Sequence, residues 1–370
     1  MQSTMIKKFK KIVIKIGSSS IVDEKNKKIK TQWLNSICKD IKSFHPDKKI
    51  VIVCSGAIAL GSKLISDKPL RRLEDKQAAA AIGQIELAKN WDQVLKKNKI
   101  NAAQILLTLE DSETRRRYLN IRKTINALHK KNIVPIINEN DTVATEEIRF
   151  GDNDRLAARV SQMIDADLLI LLSNVHGLYS ESPDKNKNAK RIKEVYEINS
   201  EIEKMASKVF SPLGSGGMIT KIWAAKICMN SGCSAVITHG DKKLPITNIT
   251  KQNSTWFHAI KSSKSIRKQW LLNHLHPSGS IIVDRGAQKA IQDNKSLLPA
   301  GIIEINGRFN RGDVITILTS KNNKIGIGVI AYDSSDAKKI IGKNSKHIKD
   351  VLGYDGRDEI IHKDDLVKII

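Results

Sequence analysis

The chain has 370 residues, 40% of them hydrophobic, and a formal net charge of +24. A chain of this length exceeds what one core serves efficiently, which predicts two domains. No run approaches 18 apolar residues, Met1–Lys11 carries lysines without an apolar stretch, and Cys38, Cys54, Cys228 and Cys233 form neither a disulfide framework nor a CxxC pair. Membrane-spanning, secreted and disulfide-scaffold classes are therefore set aside, and a reducing cytoplasmic setting is expected. The charge is uneven. Residues 277–370 hold 15 Lys and Arg against 12 Asp and Glu, a net +3, whereas residues 1–276 hold 48 against 27, a net +21. Most of that excess is lysine on solvated helices and loops, compatible with mild steering of an anionic ligand.

Taken in chain order, the first 240 residues alternate β-branched runs with longer helical patterns. Strands are predicted at 11–16, 50–54, 103–107, 133–137, 168–172 and 235–238. Helical faces are read from Trp33, Leu34, Ile37, Cys38 and Ile41, and from Ile82, Ile85, Leu87, Ala88 and Val94. Further helices are predicted over 115–131, 154–164 and 217–231. Apolar, unalternating strands separated by helices predict a three-layer α/β/α sandwich on a mostly parallel sheet, with ligands beyond the carboxyl ends of the strands. Residues 241–269 read as a last strand, a helix and a linker. From Ser280 the pattern changes to short strands at 280–283, 301–305, 314–318, 325–332 and 365–370, with turns at Asn306-Gly307 and Arg311-Gly312-Asp313, which predicts a small β-rich barrel. The expected division is 1–265, a linker at 266–276, and 277–370.

Unusual residues cluster just after the strands. Lys15-Ile16-Gly17-Ser18-Ser19 closes the first strand, where a glycine turn and a lysine suit an anion. Ser55-Gly56-Ala57 follows the second. The stretch Gly56-x4-Gly61-Ser62-Lys63 falls short of a P-loop, because its Ser-Lys order reverses the lysine and the hydroxyl that such a loop requires. Asn138-Glu139-Asn140-Asp141 follows the fourth strand and precedes Gly151-Asp152-Asn153-Asp154 at a helix start. So many polar groups there suit an ammonium group, as in an amino acid, or ordinary helix capping. Gly214-Ser215-Gly216-Gly217-Met218-Ile219-Thr220-Lys221 leads a glycine-rich turn into a helix, a plausible phosphate clamp or a plain flexible loop. His274 and His276 have no acidic or cysteine neighbours, so no metal site is expected, and no serine sits in a GxSxG setting.

In this order the motifs resemble the amino acid kinase family, in particular the branch that phosphorylates glutamate, and Ser296-Leu297-Leu298-Pro299-Ala300-Gly301 with Arg311-Gly312-Asp313 resembles the PUA domain carried by its bacterial members. The resemblance spans nearly the whole chain. It implies transfer of the ATP γ-phosphoryl group to the γ-carboxylate of L-glutamate, the first step of proline biosynthesis, with Mg²⁺ accompanying the nucleotide. By matching motif it assigns Lys15 and Lys221 to stabilising the transferring group and Asp154 to positioning both lysines. Ser55, Asp141 and Asn153 would bind glutamate. Lys15, Ser173, Asn174 and the turn Ser215, Gly216, Gly217, Met218, Ile219, Thr220 and Lys221 would contact ATP. It further implies a homodimer or homotetramer, inhibition by proline at the glutamate site, and hand-off of the product to a glutamate-5-phosphate reductase.

The chain departs from the family pattern at Ser173-Asn174, usually Thr-Asp, at His176, usually Asp, and at Ser254-Thr255, usually Gly-Thr. Two alternatives stand beside this reading. One is a sister kinase acting on aspartate, acetylglutamate or a nucleotide. The other is an RNA-binding protein, for which the net +3 of the C-terminal domain and its scattered Phe309, Tyr332 and Tyr354 give weak support.

Overall fold

The computed structural model describes residues 5–23, 25–143, 152–183, 186, 188–208, 217–241, 243–260 and 277–368. The chain divides into two compact units, Met1–Ser263 and Lys264–Ile370. The expected linker at 266–276, with His274 and His276, lies outside the described residues.

The first unit is built on strands β1 (Lys11–Ile16), β2 (Lys49–Cys54), β3 (Asn101–Leu107), β4 (Ile133–Glu139), β5 (Leu168–Ser173), β6 (Glu194–Val195), β7 (Ser234–His239) and β8 (Ser254–Phe257). Their order in one sheet is β3-β4-β2-β1-β5-β7-β8-β6. The six strands from β3 to β7 in that order run parallel, and β8 turns back antiparallel to β7. Between them lie α1 (Ser18–Ile21), α2 (Thr31–Phe44), α3 (Ala57–Ile65), α4 (Leu73–Lys97), α5 (Leu109–Glu113), α6 (Arg115–Lys130), α7 (Asp152–Met163), α8 (Ser200–Lys208) and α9 (Met218–Asn230).

Side chains alternate across a strand, so each strand feeds two cores. Ile12, Ile14 and Ile16 of β1 join Leu34, Ile37 and Ile41 of α2 and Leu87 and Trp91 of α4 on one face. Val13 of β1 joins Ile125 of α6, Leu156 and Ala157 of α7, and Ile222 and Ala225 of α9 on the other. The three-layer α/β/α sandwich expected from unalternating strands is the architecture found. At about 1.5–3 kcal/mol per fully buried aliphatic side chain, these two cores are the main stabilising term.

The helical face read for α4 holds at Leu87 and Val94 and is corrected at Ile82 and Ile85. Ile85 is 74% exposed and Ile82 is also exposed, while the buried residues are Ala79, Ala80, Gly83, Leu87, Trp91, Val94 and Leu95. The reason is α3, a helix the sequence pattern did not reveal. A Cβ on Gly61 would lie 2.0 Å from the carbonyl oxygen of Ala79, and one on Gly83 would lie 1.9 Å from that of Ala57. The two helices therefore touch backbone to backbone, and the stripe that faces inward is the one with the smallest residues.

The second unit is a five-stranded sheet, β10-β9-β11-β12-β13, from β9 (Gly279–Val283), β10 (Ile302–Gly307), β11 (Val314–Thr319), β12 (Lys324–Val329) and β13 (Leu366–Lys368). It also holds α10 (Arg285–Gln292), α11 (Ser334–Ile340) and α12 (Ile348–Leu352), short helices that the strand-and-turn reading did not include. Ile281, Ile302, Ile315, Ile317, Ile340 and Ile361 belong to its separate core. Among the described residues no helix is long and apolar enough to cross a membrane.

Candidate active site

β1 lies at the centre of the sheet, between β2 and β5. Lys15, one residue before its carboxyl end, alternates with Val13 onto the face covered by α7 and α9. A lysine there is desolvated and needs a partner. It finds Asp154, the third residue of α7, with Lys15 Nζ 2.6 Å from Oδ1. Lys221, in the first turn of α9, places its Nζ 3.1 Å from Oδ2 of the same carboxylate. Asp154 has no solvent exposure, and Lys15 and Lys221 are each 7% exposed. Three segments separated by more than 60 residues at each step thus converge on one carboxyl group.

The electrostatics follow from that packing. Burial by itself would raise the Asp154 carboxyl, but the charges of Lys15 and Lys221 and hydrogen bonds from Lys15 and Thr220 outweigh it and hold it at about 2. For Lys221 burial is the larger influence and lowers its ammonium below the ordinary range, Asp154 works against that lowering, and Lys15 adds to it. Two cations and one anion leave a positive excess in a place of low dielectric, which is where an anionic ligand gains most.

Around this centre the other expected residues fall at strand ends and helix starts. Ser55 follows β2, and Gly56 next to it has φ +117°, a left-handed turn that opens α3. A Cβ there would also press on Val22 at 3.0 Å. Asn153 precedes Asp154 on α7, and its Oδ1 is buried without a hydrogen-bond partner among the described residues. Asp141 follows β4 and lines a cavity of about 280 Å³ with Ala80, Gln84, Leu106, Asn140 and Thr142. Asn138 at the end of β4 donates from Nδ2 to Oε1 of Gln84 at 2.6 Å and accepts from the Glu139 N–H at 2.9 Å. Gln84 was missed in the sequence. The signal was a polar residue beside the buried stripe of α4, holding the strand end that leads to Asp141.

On the other side of β1, Ser173 ends β5 and is buried, while Asn174 beside it is exposed. The Ser173 carbonyl accepts from Gly240 N–H at 2.7 Å, and the Gly240 carbonyl accepts from Trp33 Nε1 at 2.7 Å. The rings of His176, just past β5, and His239, the last residue of β7, lie 4.9 Å apart. Thr255, which keeps the family's threonine beside the departure at Ser254, uses its hydroxyl to accept from Leu178 N–H at 2.9 Å and to donate to the Ile192 carbonyl at 2.5 Å. That is a structural bond in the wall of the sheet. Gly217 caps α9, and a Cβ built on it would meet nothing within 4 Å. Met218, Ile219 and Thr220 form the first turn. Ser215 and Gly216, together with Gly151 and the preceding loop, lie outside the described residues.

Residues 10–239 match the model of the amino acid kinase family, and residues 279–352 match that of the PUA domain. The chain is 46% identical over 360 residues to the glutamate 5-kinase of Paramagnetospirillum magneticum, covering 97% of each chain. It is 49% identical over 367 residues to that of Pelagibacter ubique, covering 98% of this chain and all of the relative. With the Sinorhizobium fredii glutamate 5-kinase it shares 48% over 365 residues, covering 98% of this chain and 93% of the relative. The chain belongs to the amino acid kinase family, in the glutamate 5-kinase group whose catalytic domain is followed by a PUA domain.

Proposed function

We propose that this protein transfers the γ-phosphoryl group of ATP to the side-chain carboxylate of L-glutamate, giving L-glutamate 5-phosphate for proline biosynthesis. The observation that carries the reading is the pair of buried lysines held on the single buried carboxylate of Asp154. Phosphoryl transfer asks a protein chiefly for alignment and for cations where charge spreads over the transferring group. Lys15 from the sheet and Lys221 from α9 would supply those cations, and Asp154 would set their positions without becoming a ligand itself. The N-terminus of α9, with Gly217 and the N–H groups of Met218 and Ile219, suits the nucleotide phosphates. Ser173 and Asn174 would flank the nucleotide, with Asn174 offering an amide where the family usually has a carboxylate.

On the acceptor side, the unpartnered Oδ1 of Asn153 supports a contact to the ammonium group of glutamate, and Ser55 and Asp141, at the ends of β2 and β4, would complete the glutamate contacts. Among the described residues no group of three or more His, Cys, Asp or Glu side chains could hold a metal ion. Both oxygens of Asp154 are taken by lysines. The residues present therefore fit a Mg²⁺ that arrives on the ATP phosphates, as this hard ion commonly does, where it would neutralise charge on the β- and γ-phosphoryl oxygens.

Further parts of the reading are proposals of the same kind. A homodimer or homotetramer is proposed by likeness to the family, and light scattering tests it. Proline would compete with glutamate, and the product would pass to a glutamate-5-phosphate reductase. A reducing cytoplasmic location is supported by four cysteines that are all free and buried.

The test is a trapping assay with purified protein, ATP, Mg²⁺, L-glutamate and hydroxylamine, which converts an acyl phosphate to a hydroxamate. Glutamate-dependent hydroxamate, absent with aspartate or acetylglutamate and absent in Lys15→Ala, is the expected result. A folded protein that binds ATP and gives no hydroxamate would overturn the proposal.

A further inference from the structure

We infer that Thr220 is a positioning residue for the transfer step, whose hydroxyl fixes the carboxylate of Asp154 and ties it to the first turn of α9. The inference rests on the reading of Lys15 and Lys221 as the cations of the reaction. It moves Thr220 away from the nucleotide contact that the family resemblance implied.

Thr220 Oγ1 lies 2.8 Å from Asp154 Oδ2 and 2.9 Å from the carbonyl oxygen of Gly217. A hydroxyl has one proton to give, so the two acceptors compete. The carboxylate is ionised and sealed from water, which makes its bond the charge-assisted and stronger one. Gly217 stands three residues before Thr220, the position at which a helical threonine hydroxyl meets a backbone carbonyl, so the stiff β-branched side chain is already in a rotamer its helix favours. That rotamer also aims Oγ1 at Asp154. No reorganisation is needed to make the bond.

The consequence concerns the geometry of the lysines. A carboxyl group turns easily about its last torsion. Oδ1 is anchored at 2.6 Å by Lys15, but Oδ2 meets Lys221 only at 3.1 Å, and Thr220 is its other donor. Without the hydroxyl, Asp154 is free to rotate toward Lys15, and its 3.1 Å contact to Lys221 is loosened. Nucleotide binding, which draws on the backbone of the α9 turn, would be little affected. Misplacement of a reacting cation by about 1 Å costs on the order of 10²-fold in rate. A side chain that touched ATP directly would instead weaken ATP binding when removed.

The test compares wild type, Thr220→Val and Thr220→Ser in the hydroxamate assay, with thermal melts of all three as a control on folding. Thr220→Val keeps the branched shape and loses the hydroxyl, and Thr220→Ser keeps the hydroxyl. The expected result is a fall in kcat of about 10²-fold in Thr220→Val, with KM for ATP within about threefold of wild type and kcat restored to within about tenfold in Thr220→Ser. A Thr220→Val enzyme with normal kcat, or one with raised KM for ATP at unchanged kcat, would overturn the inference. So would a Thr220→Ser enzyme as slow as Thr220→Val while both melt like wild type. Wild-type protein without glutamate-dependent hydroxamate would overturn the functional reading itself and take this inference with it.

Discussion

Replacing Asp154 with Asn removes one charge and almost no volume, so it isolates the electrostatics of the site. Lys15 Nζ at 2.6 Å and Lys221 Nζ at 3.1 Å would then face a neutral amide in a place closed to water. Two routes give the cost. The carboxyl is lowered from 3.8 to about 2, and at about 1.4 kcal/mol per pH unit the preference for its ionised form in the fold is about 2 kcal/mol near neutrality. Removing one partner from a buried ion pair costs about 3–5 kcal/mol, because the charges left behind are uncompensated. Asp154→Asn is therefore expected to destabilise the protein by about 2–5 kcal/mol at neutral pH. The sign of the pH dependence is fixed. A carboxyl whose folded value lies below its unfolded value contributes stability that is fully present above the unfolded value and lost as pH falls through the folded one. The difference between wild type and variant should be largest near neutrality and should shrink as pH drops below about 4 toward about 2. Chemical denaturation of both proteins across that acid range measures it, with groups common to the two cancelling in the difference. A gap below about 1 kcal/mol at neutral pH, or one that does not narrow in acid, would refute the account of the three charges.

Three further expectations bear on the same architecture. Lys15→Ala and Lys221→Ala should each lower kcat by about 10²–10³-fold, the cost of removing one preorganised donor, and turnover within about threefold of wild type in either would remove that lysine from the mechanism. Asn153→Ala should raise KM for glutamate by about tenfold, the equivalent of one lost polar contact, while leaving KM for ATP near its starting value; steady-state kinetics with each substrate varied separates the two. Gly83→Ala should destabilise the protein by about 1–3 kcal/mol or more, because its new methyl would sit 1.9 Å from the Ala57 carbonyl and 2.7 Å from Gly61 N. An unchanged melting temperature would mean that α3 and α4 separate without cost.

Much of the sheet was legible because its chemistry is monotonous. Strands covered on both faces must be apolar at every position, so Leu168–Ser173 and Lys49–Cys54 stand out from the lysine-rich segments around them. The edge of the sheet was harder. In Ser254–Phe257 two polar residues are buried, and they are tolerated because the Thr255 hydroxyl is satisfied by Leu178 and Ile192 from neighbouring chain segments, partners that only the fold supplies. The inward face of α4 was misread for a related reason. Size and hydrophobicity pointed to Ile82 and Ile85, whereas the contact with α3 selects for residues small enough to let two backbones meet. Periodicity reports which residues are apolar. It does not report how closely the next helix approaches.

The site shows the same division. That polar residues after β1, β2, β4 and β5 should surround a ligand follows from the parallel sheet alone, and the family resemblance put names to their roles. What neither supplied is that Thr220 reaches the same carboxylate as both lysines, since that depends on where the first turn of α9 lands relative to α7. A buried triad of this kind is a poor device for stability, because desolvating three charges offsets most of what their attraction returns. Its value lies in what it leaves uncompensated. With two ammonium groups fixed on one carboxylate, a single positive charge remains in excess, already desolvated and already in place. Burial and Lys15 lower the Lys221 ammonium while Asp154 works against that lowering. On the proposed function, a phosphoryl group between the lysines would be held by both, most strongly when negative charge is most spread over its equatorial oxygens. The cost of building the triad is therefore recovered where it serves the reaction, in the transition state.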